Sequence, residues 1–218
     1  MDSLYGPLLI NLDKRQDRLD EVTSEFEKLD LKFKRIPAST GNGNGILGCL
    51  ESHCICLEEF LQTNEETLMV CEDDAVFKCK REELDHHIKE FLSDKAHVLC
   101  LGFVARTEEP YSKIFLRSRQ VQTTVCYVVK RVTAVTLLET WRKLILLIKE
   151  GGHKNPDNWL RKELNQIQGL ATIWNIYCAD QAWKLIQQDH IFVIPRKPLV
   201  IQRASFSDIE KRFVSYDA

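Results

Sequence analysis

Thr67-Leu68-Met69-Val70-Cys71-Glu72-Asp73-Asp74-Ala75 decides how this chain of 218 residues is read. An apolar run of strand character ends in three consecutive carboxylates. Acids side by side repel one another, so the segment calls for a compensating cation, and a divalent metal is the natural candidate. Alternate residues of an extended segment share a side. Glu72 and Asp74 are therefore the expected metal ligands. Asp73 turns the other way, into a structural part. The competing reading is an acidic, solvated turn that caps the next element.

The flanking sequence gives this cluster a place. Leu8 to Leu12 reads as a buried strand, and the polar turn Asp13 to Asp17 leads into a helix ending near Leu29, with Leu19, Val22, Phe26 and Leu29 at helical spacing. Leu31 to Ile36 alternates as a second strand, with Phe33 and Ile36 inward. Ser39 to Gly45 is a glycine-rich loop. A helix from about Leu47 to Leu61 precedes the third strand, Leu68 to Cys71. Arg81 to Leu92 reads as a helix and Ala96 to Leu101 as a fourth strand. Strands alternating with helices imply an α/β fold with a parallel, doubly wound sheet, whose ligands gather at the carboxyl ends of strands. The acidic cluster lies at such an end.

The second half is less regular. Lys113 to Leu116 and Gln122 to Val129 read as strands, a mixed-direction addition. Thr133 to Lys149 is an amphipathic helix, and Gly151 to Asp157 a break. Ala179 to Gln188 is helical with Asp180 near its start. Ile191 to Ile194 and Leu199 to Gln202 are short strands.

Composition narrows the function classes. Apolar residues make up 44% and charged residues 28%, with a net charge of −2. No basic stripe dominates, which argues against a nucleic-acid binder. None of the eight cysteines forms a Cys-x-x-Cys pair. Most sit in apolar runs, as reduced thiols behaving like small hydrophobes. Met1 to Pro7 lacks a secretory profile, and no run approaches the ~20 apolar residues of a membrane span. A cytoplasmic, reducing location is expected, of the kind found for a viral or bacterial-type protein. The polar ending also fits a chain cut from a longer protein.

Four further places carry chemistry. Arg15 and Arg18 are three apart at a helix start, where guanidinium forks and the helix amino end attract phosphate; the plainer reading is a charged first turn capped by Asp13 or Asp17. Ser52 and His53 lie in an apolar helix. Their side chains diverge there, so they are no hydrolase pair, and His53 is either a core histidine or the orienter of a strand-end carboxylate. Asp180 is an N-cap or a general base. Gly41 to Gly45 is no Walker loop, because no Gly-Lys-Ser/Thr follows. His86 and His87 read as solvated, and Trp141 and Trp183 as core. Trp159 and Trp174, flanking loop-like segments, are candidates for stacking on a bound ligand.

Ile10-Asn11-Leu12-Asp13-Lys14-Arg15-Gln16-Asp17-Arg18, Ala38-Ser39-Thr40-Gly41, Gly48-Cys49-Leu50-Glu51-Ser52-His53 and Val70 to Ala75 occur in order. This series resembles glycosyltransferase family 25, which holds bacterial lipooligosaccharide and procollagen galactosyltransferases. Ala179-Asp180-Gln181-Ala182-Trp183 and Pro198-Leu199-Val200-Ile201-Gln202 with Ser207-Asp208-Ile209 resemble its later segments. The likeness runs from residue 8 to 209, with no motif between 103 and 175. Ser39-Thr40-Gly41 departs from the family in lacking an acidic residue before the glycine.

The resemblance implies a GT-A-like fold: a Rossmann-like, mostly parallel sheet flanked by helices, with a smaller mixed part in the second half. It implies one domain over 1–218, with a nucleotide-sugar half at 1–102 and an acceptor half at 103–218. It implies a UDP-sugar donor, Mn²⁺ or Mg²⁺, and a glycan or glycoprotein acceptor. Transferred to matching positions, Asn11, Arg15, Arg18, Ser52, His53, Glu72 and Gln202 bind the nucleotide-sugar, with Asp73 counted beside them, Asp74 and Glu72 hold the metal, and Asp180 is catalytic. The activity expected is transfer of a hexose or deoxyhexose, with inversion favoured. The alternative is a non-catalytic nucleotide-sugar-binding domain of a larger protein. A metal-dependent phosphohydrolase would need a second carboxylate or histidine cluster, and the sequence offers none.

Overall fold

The computed structural model describes residues 4–151, 176–207 and 212–214. Its frame is an eight-stranded sheet in the order β2-β1-β3-β10-β5-β11-β8-β7. The strands are β1 (Leu4–Asn11), β2 (Lys34–Pro37), β3 (Thr67–Glu72), β5 (Val98–Cys100), β7 (Glu109–Pro110), β8 (Phe115–Ser118), β10 (Cys126–Lys130) and β11 (Phe192–Pro195). β1, β2, β3, β5 and β11 run one way, so the sheet is mostly parallel. β10 runs against both β3 and β5, and β8 against β11.

Alternation along the strands splits the core in two. Leu8, Ile10, Leu68, Val70, Tyr127 and Val129 face the helices α2 (Gly45–Leu61) and α4 (Arg131–Lys149), meeting Leu50, Leu57, Phe60, Leu137 and Trp141. Leu9, Met69, Cys71, Leu99 and Val128 face α1 (Gln16–Lys28) and α3 (Arg81–Ser93), through Val22, Phe26, Leu84, Ile88 and Phe91. Strands buried on both faces read as unbroken apolar runs, as Val125 to Val129 does. The expected inward positions of the second strand hold: Ile36 is buried, and Phe33 packs part-buried against the α1 side.

The mixed-direction part differs from the expectation of an addition to the parallel half. β10 sits in the middle, between β3 and β5. The chain leaves β5 for the short strands β6 (Val104–Ala105) and β9 (Val121–Gln122), which pair with each other, and returns through a tight turn in which Thr123 has φ +66°. Between β5 and β10 the chain runs through β6 to β9 with no helix, and the returning strand is laid antiparallel to β5.

Three small features shape the site end of the sheet. β4 (Ala75–Phe77) pairs antiparallel with β12 (Val200–Gln202), setting Gln202 opposite Ala75. β13 (Ser205–Ser207) pairs with β14 (Arg212–Val214). The segment Ala179 to Gln188 opens as one helical turn, α5 (Ala179–Ala182), and tightens into a 3₁₀ turn over Trp183–Leu185, a shorter element than expected.

All eight cysteines are free, and Cys54, Cys56, Cys71, Cys100 and Cys126 are buried. Cys71 and Cys126 face each other across β3 and β10 with sulfurs 3.0 Å apart. Trp141 and Trp183 are fully buried, as expected. His86 and His87 lie on α3. Trp159, Trp174, Asp208, Ile209 and most of the 151–157 break lie outside the described residues.

Candidate active site

A cavity of about 370 Å³ opens at the carboxyl ends of β1 and β3. Asn11, Arg15, Arg18, Ser52, His53, Glu72, Asp73, Asp74, Asp180 and Gln202 all line it. Every residue that the family resemblance marks for the site therefore meets in one place.

The three acids are held differently. β3 stops at Glu72, and Asp73 and Asp74 occupy the turn into β4. Strand alternation ends there, so Asp73 does not turn away as the extended reading expected. Its carboxylate lines the same cavity, accepting from Asn11 Nδ2 at 2.8 Å and Arg18 Nη1 at 2.8 Å. Asn11 is itself fixed, because its Oδ1 accepts from Arg35 Nε at 2.9 Å. Glu72 Oε1 accepts from Thr124 Oγ1 at 2.5 Å and His53 Nε2 at 3.1 Å. A carboxylate only accepts, so Nε2 carries the proton and Nδ1 accepts from the Tyr127 hydroxyl, 3.1 Å away. Asp74 Oδ2 accepts from Gln202 Nε2 at 3.0 Å, with Arg18 Nη1 at 3.5 Å. Asp74 Oδ1 is buried with no hydrogen-bond partner.

These settings pull the acids apart electrostatically. Burial pushes the Glu72 carboxyl up, but the His53 and Thr124 hydrogen bonds outweigh it and hold the group below the usual carboxylate range. Burial outweighs Arg18 and Asn11 at Asp73, which stands raised. Asp74 is pushed up to about 7, by burial first and then by the charge of Glu72. A buried acid with an unpartnered oxygen beside two other acids is a setting that a bound cation would relieve. The donor set of oxygens fits Mn²⁺ or Mg²⁺.

Arg15 rather than an aspartate stands at the N-cap of α1, and it makes no side-chain cap. Its guanidinium grips Asp17 at 2.8 Å, and the Asp17 carboxyl falls to about 2, chiefly through that hydrogen bond. Arg18 pairs with Asp73 and Asp74 and also donates to Ser205 Oγ and the Phe206 carbonyl. The two arginines line the cavity while held by carboxylates, rather than standing as free forks for phosphate.

Ser52 closes the loop onto α2. Its hydroxyl donates to the Gly48 carbonyl at 2.6 Å and accepts the Ser39 N–H at 2.9 Å. The backbone approach is close: a Cβ on Gly48 would lie 2.5 Å from the Ser39 carbonyl oxygen. Gly41, at φ +55°, packs back against Gly48. Across the cavity, Asp180 is not an N-cap, since Cys178 holds that position. Its Oδ2 accepts from the Thr123 N–H and Gln181 Nε2, each at 3.2 Å. Burial nevertheless raises its carboxyl above the usual range.

Sequence reasoning missed Thr124, Tyr127, Thr123 and Ser205. The polar pair Thr123-Thr124, opening an apolar strand, was the signal available for two of them. Tyr127 sits in an apolar run, and nothing local marks it.

A sequence model of glycosyltransferase family 25 (LPS biosynthesis protein) matches residues 40–150. No curated protein matches the chain. Among solved structures, it is similar to A197 from STIV (10% identity, all of this chain and 95% of that one, TM-score 0.48). It is also similar to a glycosyltransferase involved in glycosylation of the major capsid of PBCV-1 (11% identity, 94% of each chain, TM-score 0.46). A third likeness is mannose-1-phosphate geranyltransferase from Thermus thermophilus (10% identity, 90% of this chain and 58% of that one, TM-score 0.45). Among the described residues, no helix is long and apolar enough to cross a membrane.

Proposed function

The chain belongs to glycosyltransferase family 25, and from that premise we propose that it transfers a hexose or deoxyhexose from a UDP-sugar to a glycan or glycoprotein acceptor, with Mn²⁺ or Mg²⁺ as cofactor. The observation that carries the metal requirement is Asp74, buried, raised to about 7 and left with an unpartnered Oδ1. Asp74 and Glu72 would hold the cation. Bound there, it would offset negative charge on the departing diphosphate.

The chain's own residues do the rest. His53 and Thr124 keep Glu72 ionised and aimed at the cavity. Gln202 fixes one oxygen of Asp74. Arg18 ties Asp73 and Asp74 to β13, and Asn11 holds Asp73 from β1. Arg15, on the same rim, would meet the nucleotide's phosphates by giving up part of its grip on Asp17. Ser52 holds the Ser39 loop that forms one wall. Asp180, with its carboxyl raised, is the candidate base. It would take the proton of an acceptor hydroxyl as that oxygen bonds to the anomeric carbon and the bond to UDP breaks.

Calorimetric titration of UDP with and without Mn²⁺ tests this reading. Binding should require Mn²⁺ and be lost in Asp74→Ala, with the circular dichroism spectrum of the variant unchanged. Mn²⁺-dependent sugar transfer retained in Asp74→Ala would overturn it. UDP binding without any transfer or UDP-sugar hydrolysis would favour the non-catalytic binding domain.

A further inference from the structure

Cys49 and His53 stand one helical turn apart on α2, and Glu72 ends the neighbouring strand β3. One ligand atom of each, a sulfur, an imidazole nitrogen and a carboxylate oxygen, lies within 4.8 Å of the other two. All three side chains line the cavity. We propose that Cys49, His53 and Glu72 form a second cation site, selective for thiophilic divalent ions such as Zn²⁺, whose occupation shuts down the site built on Glu72 and Asp74.

The chemistry distinguishes the two sites. Mn²⁺ and Mg²⁺ favour oxygen, whereas a thiolate and an imidazole select Zn²⁺ and its neighbours. Three protein ligands with a fourth position facing a cavity is the arrangement of an open zinc site. The helix spacing puts sulfur and imidazole on one face. His53 Nδ1 also lies 3.1 Å from the Tyr127 hydroxyl, an oxygen that can accept its N–H once Nε2 is on the metal.

The proton inventory closes without a co-reactant. Zn²⁺ replaces the thiol proton of Cys49, which leaves to solvent. The His53 proton moves from Nε2 to Nδ1, where it donates to Tyr127 Oη, whose own O–H rotates off Nδ1, and Nε2 binds the metal. Glu72 exchanges the His53 hydrogen bond for the cation. Because Glu72 is common to both sites, Zn²⁺ there withdraws a ligand from the donor-binding cation. This inhibitory consequence rests on the proposed function; the binding site itself does not.

Co²⁺ titration of the reduced, metal-free full chain is the test. One equivalent should produce thiolate-to-cobalt absorption in the near ultraviolet and intense tetrahedral bands in the visible, both abolished by Zn²⁺. Cys49→Ser should lose the ultraviolet band, and Tyr127→Phe should bind about tenfold more weakly. Should Cys49→Ser fail to fold, Tyr127→Phe decides alone. No band in the wild type, or a band retained in folded Cys49→Ser, or unweakened binding by Tyr127→Phe overturns the site. In turnover assays at fixed Mn²⁺, the Zn²⁺ concentration for half inhibition should rise about tenfold or more in Cys49→Ser, relative to its own uninhibited rate. An unchanged inhibition overturns the coupling. Absent turnover with an intact cobalt spectrum instead counts against the transferase reading alone.

Discussion

Asp180 and Lys184 show how burial sets the chemistry of single residues. Asp180 is raised by burial despite two hydrogen bonds. Its basic form fills only above a pKa higher than that of an ordinary aspartate, so transfer should grow as pH rises through that value. Asp180→Asn should keep UDP binding and lose kcat by two or more orders of magnitude, in line with the roughly 10²–10⁴-fold contribution of a general base. Rate and affinity measured together check this; a variant with undiminished kcat removes Asp180 from the chemistry. Lys184 is fully buried, donates to Gln181 Oε1 at 2.9 Å, and is depressed by burial to about 8, against 10.5 for a solvated lysine. Between those values the unfolded chain holds the proton and the folded one does not, so this group makes stability climb as pH rises from about 8 to 10.5. Below about 8 both states carry the charge, and the folded state bears a cost on the order of 3 kcal/mol. Buried thiols with raised pKa act in the opposite sense. Urea denaturation of wild type and Lys184→Met across this window therefore isolates the lysine: the wild type should gain more stability with pH, and parallel profiles would refute the assignment. Of the ten expected residues that line the cavity, the three acids, Arg15, Arg18, Ser52, His53 and Asp180 stood out against their local pattern, whereas Asn11 and Gln202 were marked by the family resemblance. Thr124 and Tyr127 were not legible, because a threonine at a strand end and a tyrosine among valines look ordinary until the partner strand arrives.

Helix α2 joins local sequence to site geometry. Asn44 caps it, accepting the Leu47 N–H at 3.2 Å, and Gly48 lets the Ser39–Gly41 backbone lie on its first turn. A methyl group at Gly48 has no room, since it meets main chain rather than a pliant side chain. Gly48→Ala should cost about 1–3 kcal/mol by overpacking and weaken UDP binding by displacing the loop. Thermal denaturation and calorimetry read the two effects; an unchanged affinity would mean the loop does not touch the donor. At this scale the longer helices and strands of the first hundred residues are legible in type and order, because their periods are written into the apolar spacing; the three-residue β4 is not. The central place of β10 is not legible either, because Val125 to Val129 is apolar throughout and a strand buried on both faces has that pattern at any interior position.

Across the whole molecule, Arg18 binds separate parts of the fold at once. From α1 it reaches Asp73 and Asp74 after β3, and Ser205 and Phe206 in β13. Its side chain is 12% exposed, and those of Asp73 and Asp74 are 10% and 7% exposed. Removing one member of such a group strands the others. Arg18→Met should destabilise the fold by about 3–5 kcal/mol at neutral pH. The loss should shrink as acid protonates Asp73 and Asp74, whose carboxyls are already raised. Denaturation at pH 5 and pH 8 measures this, and an equal loss at both would show that packing of the arginine, not its charge, matters. The alternation of elements foretold a site at the carboxyl ends of parallel strands. Which distant segments close over it was beyond reach, since β4 with β12 and β13 with β14 are ladders of three residues that leave no periodic trace.

The central position of β10 bears on how this chain acquires its structure during synthesis. Cys71 pairs with Cys126, and Val98 with Val129, while Val98 waits for Phe192 on its other side. A nascent chain that has emerged only as far as β5 holds two groups of strands with nothing between them. The edge of β3, apolar and unpaired, faces solvent until about thirty further residues have appeared. Contacts of that sequence separation form slowly. The ribosome therefore delivers this sheet in an order that leaves its middle until late, and the acids of the site gain Thr124 and the tyrosine behind His53 only when that middle strand zips in.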